Sequence, residues 1–327
     1  MKWFDLRSLS RGEALTCVVL ALLFLTATGL FIGLRPEHLL ITGLFVVLFF
    51  AAPATRRLAV ALLPFVLFGI SYDWMRLVPN YEVNPIDTRP LYEAERALFG
   101  ITIDGQRLIP GEYFNAHHWS VADLLAGLFY LCWVPVPIAF GLWLYFSGQR
   151  RHYLRFAVAF LFVNLLGFLF YYVHPAAPPW YVLNYGFEPI LSTPGNVAGL
   201  SRFQDLTGLY VFDGLYSKNA NIFAAVPSLH AAYMLIAFVY AVISRQRKTL
   251  LVVFAIITVG IWATAVYTCH HYIIDVLLGI ACALVGIALF EWVLLRIPPV
   301  TRFFHRYVRY IAVPEPVKGT PHNNQIY

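Results

Sequence analysis

Eight apolar segments, at residues 14–34, 38–52, 58–72, 121–146, 153–173, 228–244, 250–268 and 272–295, decide what this chain can become. A helix needs about 20 mainly apolar residues to cross a bilayer. Only helices and closed barrels can cross at all, because each backbone N–H and C=O must find a partner within the structure. Of the 327 residues, 60% are hydrophobic and 12% charged, against about 25% charged in a soluble domain. A water-soluble globule and a disordered chain are both excluded. The expected fold is an all-α, polytopic integral membrane bundle of about eight transmembrane helices. The second and third segments are short enough to form a tilted or partly re-entrant hairpin. The first follows a basic start without a small-residue cleavage site, so it is expected to be retained as a span.

Charge distribution sets an orientation. With eight crossings, one side holds both termini together with 16 of the 23 basic and 4 of the 17 acidic residues, a net +12; the other holds 7 and 13, a net −6. This is the positive-inside bias, so both termini are expected in the cytoplasm. Two long polar stretches, 73–120 and 174–227, then face the periplasm, cell exterior or an organelle lumen, and exceed ordinary connections enough to have structure of their own. Residues 91–99 mix Leu91, Ala94, Ala97, Leu98 and Phe99 with Glu93, Glu95 and Arg96, the pattern of a short interfacial helix. Trp74, Trp119 and Trp180 lie near helix ends, as an aromatic belt requires. The overall +6 calls for no nucleic acid, since its basic residues lie where anionic lipid attracts them. Cys17, Cys132, Cys269 and Cys282 show no paired spacing and suggest neither a disulfide framework nor a zinc site.

Ionisable groups near membrane depth mark function, and seven of the ten histidines fall on the non-cytoplasmic side. His271 is followed four residues later by Asp275, a spacing that puts both on one helical face. The carboxylate can then fix the imidazole tautomer and leave the other nitrogen bare, which is half of a nucleophilic site; a polar pair capping a helix end is the alternative. Pro227-Ser228-Leu229-His230 opens the sixth segment and places His230 in a first helical turn, where the dipole favours an anion. An interfacial histidine would look the same. His230, His270, His271 and Asp275 also have metal-ligand chemistry, and buried histidines serve proton-coupled transporters too, but these polar groups gather at one face and not at mid-bilayer.

Pro-Ser-x-His followed by His-x-x-x-Asp at the outer ends of two helices resembles the type 2 phosphatidic acid phosphatase superfamily. The resemblance implies that His271 attacks phosphorus, that Asp275 stabilises its imidazolium and that His230 protonates the leaving group, with no metal or cofactor. The chain departs from the phosphatase pattern at Leu229, where that pattern has glycine, and at Thr264-Ala265, where it has Ser-Arg. Pro178-Pro179-Trp180-Tyr181 and Cys269-His270-His271-Tyr272 are similar instead to the inositol phosphorylceramide synthase branch. That branch implies a phosphotransferase moving phosphoinositol from phosphatidylinositol to ceramide through a phosphohistidine. A phosphatase of phosphatidate or polyprenyl diphosphate is the alternative.

The implied layout is an N-terminal helical region at 1–120, a catalytic core at 121–297 and a basic cytoplasmic tail at 298–327. A cation must hold the phosphate. Arg76, just after Tyr72 and Asp73, is the first choice, then Arg89, Arg202 and Lys218. His270, Ser228 and the Pro178–Tyr181 block complete the expected substrate-binding set. The charge asymmetry yields a direct test: green fluorescent protein fused to the C-terminus should fluoresce while alkaline phosphatase fused there stays inactive, and the reverse pattern would overturn the orientation.

Overall fold

The computed structural model describes residues 9–217 and 220–312. Two compact units divide them, one of residues 9–63 and 299–312, the other of 64–298. The helices are α1 (Arg11–Phe31), α2 (Pro36–Ala51), α3 (Pro53–Trp74), α4 (Arg89–Phe99), α5 (Pro110–Ala116), α6 (Ser120–Tyr130), α7 (Pro135–Phe146) and α8 (Arg150–Val173). They continue as α9 (Pro179–Tyr185), α10 (Ser201–Thr207), α11 (Val211–Tyr216), α12 (Leu229–Ile243), α13 (Lys248–Tyr267), α14 (Ile273–Trp292) and α15 (Pro298–Ile311).

In the first unit, Ser10 and Glu13 start α1 by reciprocal capping: Glu13 N–H donates to Ser10 Oγ at 3.1 Å and Ser10 N–H to Glu13 Oε2 at 3.0 Å, satisfying donors that a helix start leaves orphaned. The stretch expected as a tail begins as a helix. In α15, Phe304 and Ile311 are buried while Arg302, Arg306 and Arg309 are exposed, the division of an interfacial helix. Residues 313–327 lie outside the described ones.

All eight apolar segments are helical, with one broken. Among the described residues, five helices are long and apolar enough to cross a membrane, α1, α3, α8, α13 and α14 with its short continuation. The segment at 121–146 is two helices, α6 and α7, bent by 41°. Pro135 and Pro137 explain the break, since a proline inside a helix removes a hydrogen bond and clashes with the preceding turn. The remaining two, α2 and α12, have 16 and 15 residues. The third segment, expected to be short, runs 22 residues as α3.

The second unit is built around α12, which packs against α13, α14, α8 and α7. Ala231, Ala232, Ala237 and Ala241 on α12 are fully buried, and such small side chains let membrane helices approach closely. At the end bearing Ser228 and Tyr272, the two long polar stretches form a layer of their own. A hairpin pairs β1 (Ile101–Ile103) with β2 (Gln106–Leu108), turning at Asp104 and Gly105, both at positive φ, as a two-residue primed turn needs. The stretches are also stitched together. Asp87 N–H donates to Pro175 O at 2.7 Å, Ala177 N–H to Asp87 O at 2.9 Å and Ala176 N–H to Phe223 O at 3.0 Å.

One close approach joins α12 to α14. A Cβ added at Gly279 would lie 2.1 Å from Ser228 O, and Ser228 N–H donates to Asp275 O at 2.9 Å. Gly279→Ala must therefore separate the two helix starts. It is expected to lose roughly 1–3 kcal/mol, read as a lowered unfolding temperature in detergent; wild-type stability would show that the helices do not meet there.

Candidate active site

The turn between α13 and α14 is fixed from several directions. Cys269 takes the left-handed conformation, φ +59, at a cost of about 1–2 kcal/mol for a non-glycine residue. His270 and His271 N–H groups then both donate to Ala265 O, at 3.0 and 2.9 Å, closing the helix end. Trp180 N–H donates to Cys269 O at 3.0 Å, Gly199 N–H to Thr268 O at 3.0 Å and Cys269 Sγ to Gly111 O at 3.0 Å. Burial pushes the Cys269 thiol up to about 12, so it stays protonated. Three distant parts of the chain thus hold Thr268 and Cys269, while the end of α13 holds His270 and His271.

His271 emerges from this turn into a three-member chain. Its Nδ1 faces Asp275 Oδ2 at 3.3 Å, and its Nε2 faces His230 Nδ1 at 2.9 Å. Asp275 Oδ2 also accepts from Tyr272 N–H at 2.9 Å, so the carboxylate caps α14 and pairs with His271 at once. The cap that one sequence reading expects is formed, and the carboxylate–imidazole contact that the other needs is present. Asp275 has no exposed surface and His271 is 5% exposed. Burial pushes the His271 imidazole below its ordinary range, leaving it neutral at pH 7. With Nδ1–H donated to the carboxylate, Nε2 keeps its lone pair and accepts from His230 Nδ1–H.

Ser228 serves the backbone. Its Oγ accepts from Ala231 N–H at 3.4 Å, which starts α12 and sets His230 in the first turn. His270 is buried against Tyr216 and Tyr130, with ring centroids 4.8 and 5.3 Å away. Burial and the neighbouring imidazoles push it well below its ordinary range, so it brings no positive charge. Pro178 precedes α9, Pro179 begins it, and Trp180 and Tyr181 are buried in an apolar cluster with Tyr92, Phe223 and Tyr272. This block braces the catalytic turn through Trp180.

The candidate cations are dispersed. Tyr72 lines a cavity of about 270 Å³ beside His230, while Arg76 Nε pairs with Asp73 Oδ1 at 3.2 Å. Arg89 stacks on Phe187, 4.0 Å from the ring centroid. Arg202 is bound by Asp123 Oδ1 at 2.7 Å and donates to Tyr267 O at 3.3 Å; it ties α10 to the end of α13. Lys218 lies outside the described residues. Among the described residues no group of three or more His, Cys, Asp or Glu side chains is arranged to hold a metal ion.

Two aromatic residues were not singled out in the sequence. Tyr130 stacks on His230 at 5.2 Å and 25°, and Trp133 lies 4.4 Å from the same ring. Both sit at the break between α6 and α7, and Tyr130 accepts from Tyr216 O–H at 3.0 Å. The signal available was Pro135, which bends the helix where these side chains are needed.

A buried carboxylate, an imidazole beside it and a second imidazole within hydrogen-bonding distance of the first have the composition of a nucleophilic site. They stand on helical segments of the kind that cross membranes. The chain belongs to the PAP2 superfamily, whose family model matches residues 89–289. It is 62% identical over 302 residues to the phosphoinositol dihydroceramide synthase of Bacteroides thetaiotaomicron, a match that covers 92% of this chain and 99% of that one. More distantly, it is 31% identical over 176 residues to the inositol phosphorylceramide synthase of Candida albicans, covering 53% of this chain and 36% of the fungal one. It is also 26% identical over 243 residues to the inositol phosphorylceramide synthase catalytic subunit aur1 of Schizosaccharomyces pombe, covering 71% and 54%. No solved structure matches the chain.

Asp275→Asn keeps an oxygen for Tyr272 N–H but withdraws the charge beside His271. Turnover is expected to fall about 10²–10⁴-fold, by analogy with the aspartate of a serine-protease triad, in protein that still elutes as a single folded species. A rate within threefold of wild type would remove Asp275 from the chemistry.

Proposed function

We propose that this protein transfers phosphoinositol from phosphatidylinositol to the primary hydroxyl of a ceramide-type lipid, at the non-cytoplasmic face of the membrane. The observation that carries the reading is the near full-length identity to a phosphoinositol dihydroceramide synthase, joined to the Asp275–His271–His230 chain.

In the first step His271 Nε2 attacks phosphorus, a P–N bond forms and the bond from phosphorus to the diacylglycerol oxygen breaks. The phosphate must enter between the two imidazoles, so the 2.9 Å hydrogen bond between them opens as it binds. That frees His230, held as the imidazolium by the bound phosphate anion, to deliver its Nδ1 proton to the departing oxygen and become neutral. Asp275 offsets the positive charge that develops on His271. In the second step His230 takes the proton of the incoming hydroxyl, reversing its first role; the new P–O bond forms and the P–N bond breaks. His271 and His230 end in their starting protonation states.

The surroundings suit lipid substrates. Ile273 and Val276 line an apolar cleft of about 540 Å³, and Ile274, Val226 and Pro227 line another of about 450 Å³. The two clefts flank the start of α14, giving acyl chains room beside His271 while the reacting phosphate stays at the helix end.

The test is to incubate purified protein in detergent with phosphatidylinositol, with and without ceramide and with EDTA throughout, and identify products by mass spectrometry. Inositol phosphorylceramide and diacylglycerol are expected together, only with ceramide present, and not with His271→Ala. Diacylglycerol and inositol phosphate formed regardless of ceramide would make the protein a hydrolase. Loss of activity in EDTA would overturn the metal-free mechanism.

A further inference from the structure

Helix α14 begins two residues after His271, and its orientation decides where Asp275 stands. Its sequence supplies no ordinary start. The residue at the cap position is Tyr272, followed by Ile273 and Ile274, where a helix start favours Ser, Thr, Asp or Asn. Asp275 takes the N–H of Tyr272, leaving those of Ile273 and Ile274 without a local acceptor.

Both are taken by one side chain from a remote part of the chain. Glu95 Oε1 accepts from Ile273 N–H at 2.8 Å and Oε2 from Ile274 N–H at 3.2 Å. Glu95 is 1% exposed and lies mid-way along α4, on the side of the helix that also buries Leu91 and Tyr92. The sequence pattern had grouped it with the polar residues of an interfacial helix. Two fixed N–H donors at a helix start, together with the helix dipole, hold a buried carboxylate well.

Helix α4 is itself anchored at both ends. Asp87 Oδ1 accepts from Leu91 N–H at 3.0 Å, and Thr88 Oγ1 donates to Phe187 O at 2.8 Å. At the far end Arg107, on β2, donates from Nε to Arg96 O at 2.8 Å and from Nη2 to Ala97 O at 2.7 Å. Between them Tyr92 O–H donates to Glu112 Oε1 at 2.7 Å. Glu95 therefore stands on a fixed post, not on a mobile surface helix.

We infer that Glu95 is a positioning residue for phosphoryl transfer: by capping α14 from α4 it holds Asp275 against His271 Nδ1 and keeps His271 in the tautomer that presents a bare Nε2. It touches neither substrate nor the reacting nitrogen in this arrangement. Its removal leaves two helix-start donors unpaired, lets the first turn of α14 relax and misaligns a pair already at 3.3 Å. Gln at this position keeps one acceptor but turns an amide N–H₂ toward the second backbone N–H, so it satisfies half of the cap.

The proposal rests on the transfer mechanism given above, and its test uses the full chain in detergent with two independent readouts. Glu95→Ala is expected to lower kcat at least tenfold while the KM for phosphatidylinositol stays within twofold. Glu95→Gln is expected to fall between Glu95→Ala and wild type. In ¹⁵N-histidine spectra, with His271 assigned by its absence in His271→Ala, the nitrogen shifts should move from one fixed tautomer toward an average in Glu95→Ala. Unchanged His271 shifts with kcat within twofold of wild type in Glu95→Ala would overturn the proposal. So would a fall in kcat matched by loss of folded protein alone. Should Glu95→Ala not fold, Glu95→Gln decides on the same two readouts. Absence of transfer by wild type would sink the transferase reading instead, and the nitrogen shifts would still judge Glu95.

Discussion

A carboxylate without exposed surface is the constraint on which the rest of the second unit depends. Burying a charge is tolerable only where fixed partners replace water, and Asp275 Oδ2 has two, Tyr272 N–H and His271 Nδ1. Those partners exist only if α14 starts at Ile273 and the preceding turn folds back on α13. The backbone of the same residue accepts from Ser228 N–H, which brings α12, and with it His230, to the site. The positions of His271, His230 and three helices thus all depend on bonds made by one residue.

Around that centre the protein uses two kinds of support. The bundle supplies close packing through small residues, as at Gly279, where a single added carbon would meet backbone. The outer layer supplies hydrogen bonds to backbone. Trp180, Gly199 and Gly111 engage the turn at Thr268–Cys269, while Glu95 engages the next two residues after the cap. A nucleophile must be held to within a fraction of an ångström to act as one, and backbone ties do this without placing another side chain in the substrate's path.

Much of this was legible in the sequence, and what was not has a common cause. The apolar segments, the Pro-Ser-x-His and His-x-x-x-Asp motifs and the pairing of His271 with Asp275 are local patterns, readable by helical spacing. Tyr130 and Trp133 were missed because their role arises from the bend at Pro135, which turns an apolar run into a wall against His230. Arg202 looked like a free cation for phosphate because its partner Asp123 is 79 residues away. Glu95 reads in sequence as a solvent-facing residue of an amphipathic helix, although it turns inward to the uncapped start of α14. The Pro178–Tyr181 block marks the family branch, yet its aromatic side chains are core, and its link to the site is a backbone N–H.

The separation of Glu95 from the two N–H groups that donate to it has a consequence for how the protein is made. Glu95 and Ile273 are 178 residues apart, and at about 5–20 residues per second of synthesis the carboxylate waits on the order of 10–40 s for the backbone it caps. During that interval α4 already has Asp87 and Arg107 to hold its ends. The turn that carries His271 is among the last parts of the second unit to be synthesised, so the backbone that Glu95 caps is made after the helix that carries the cap.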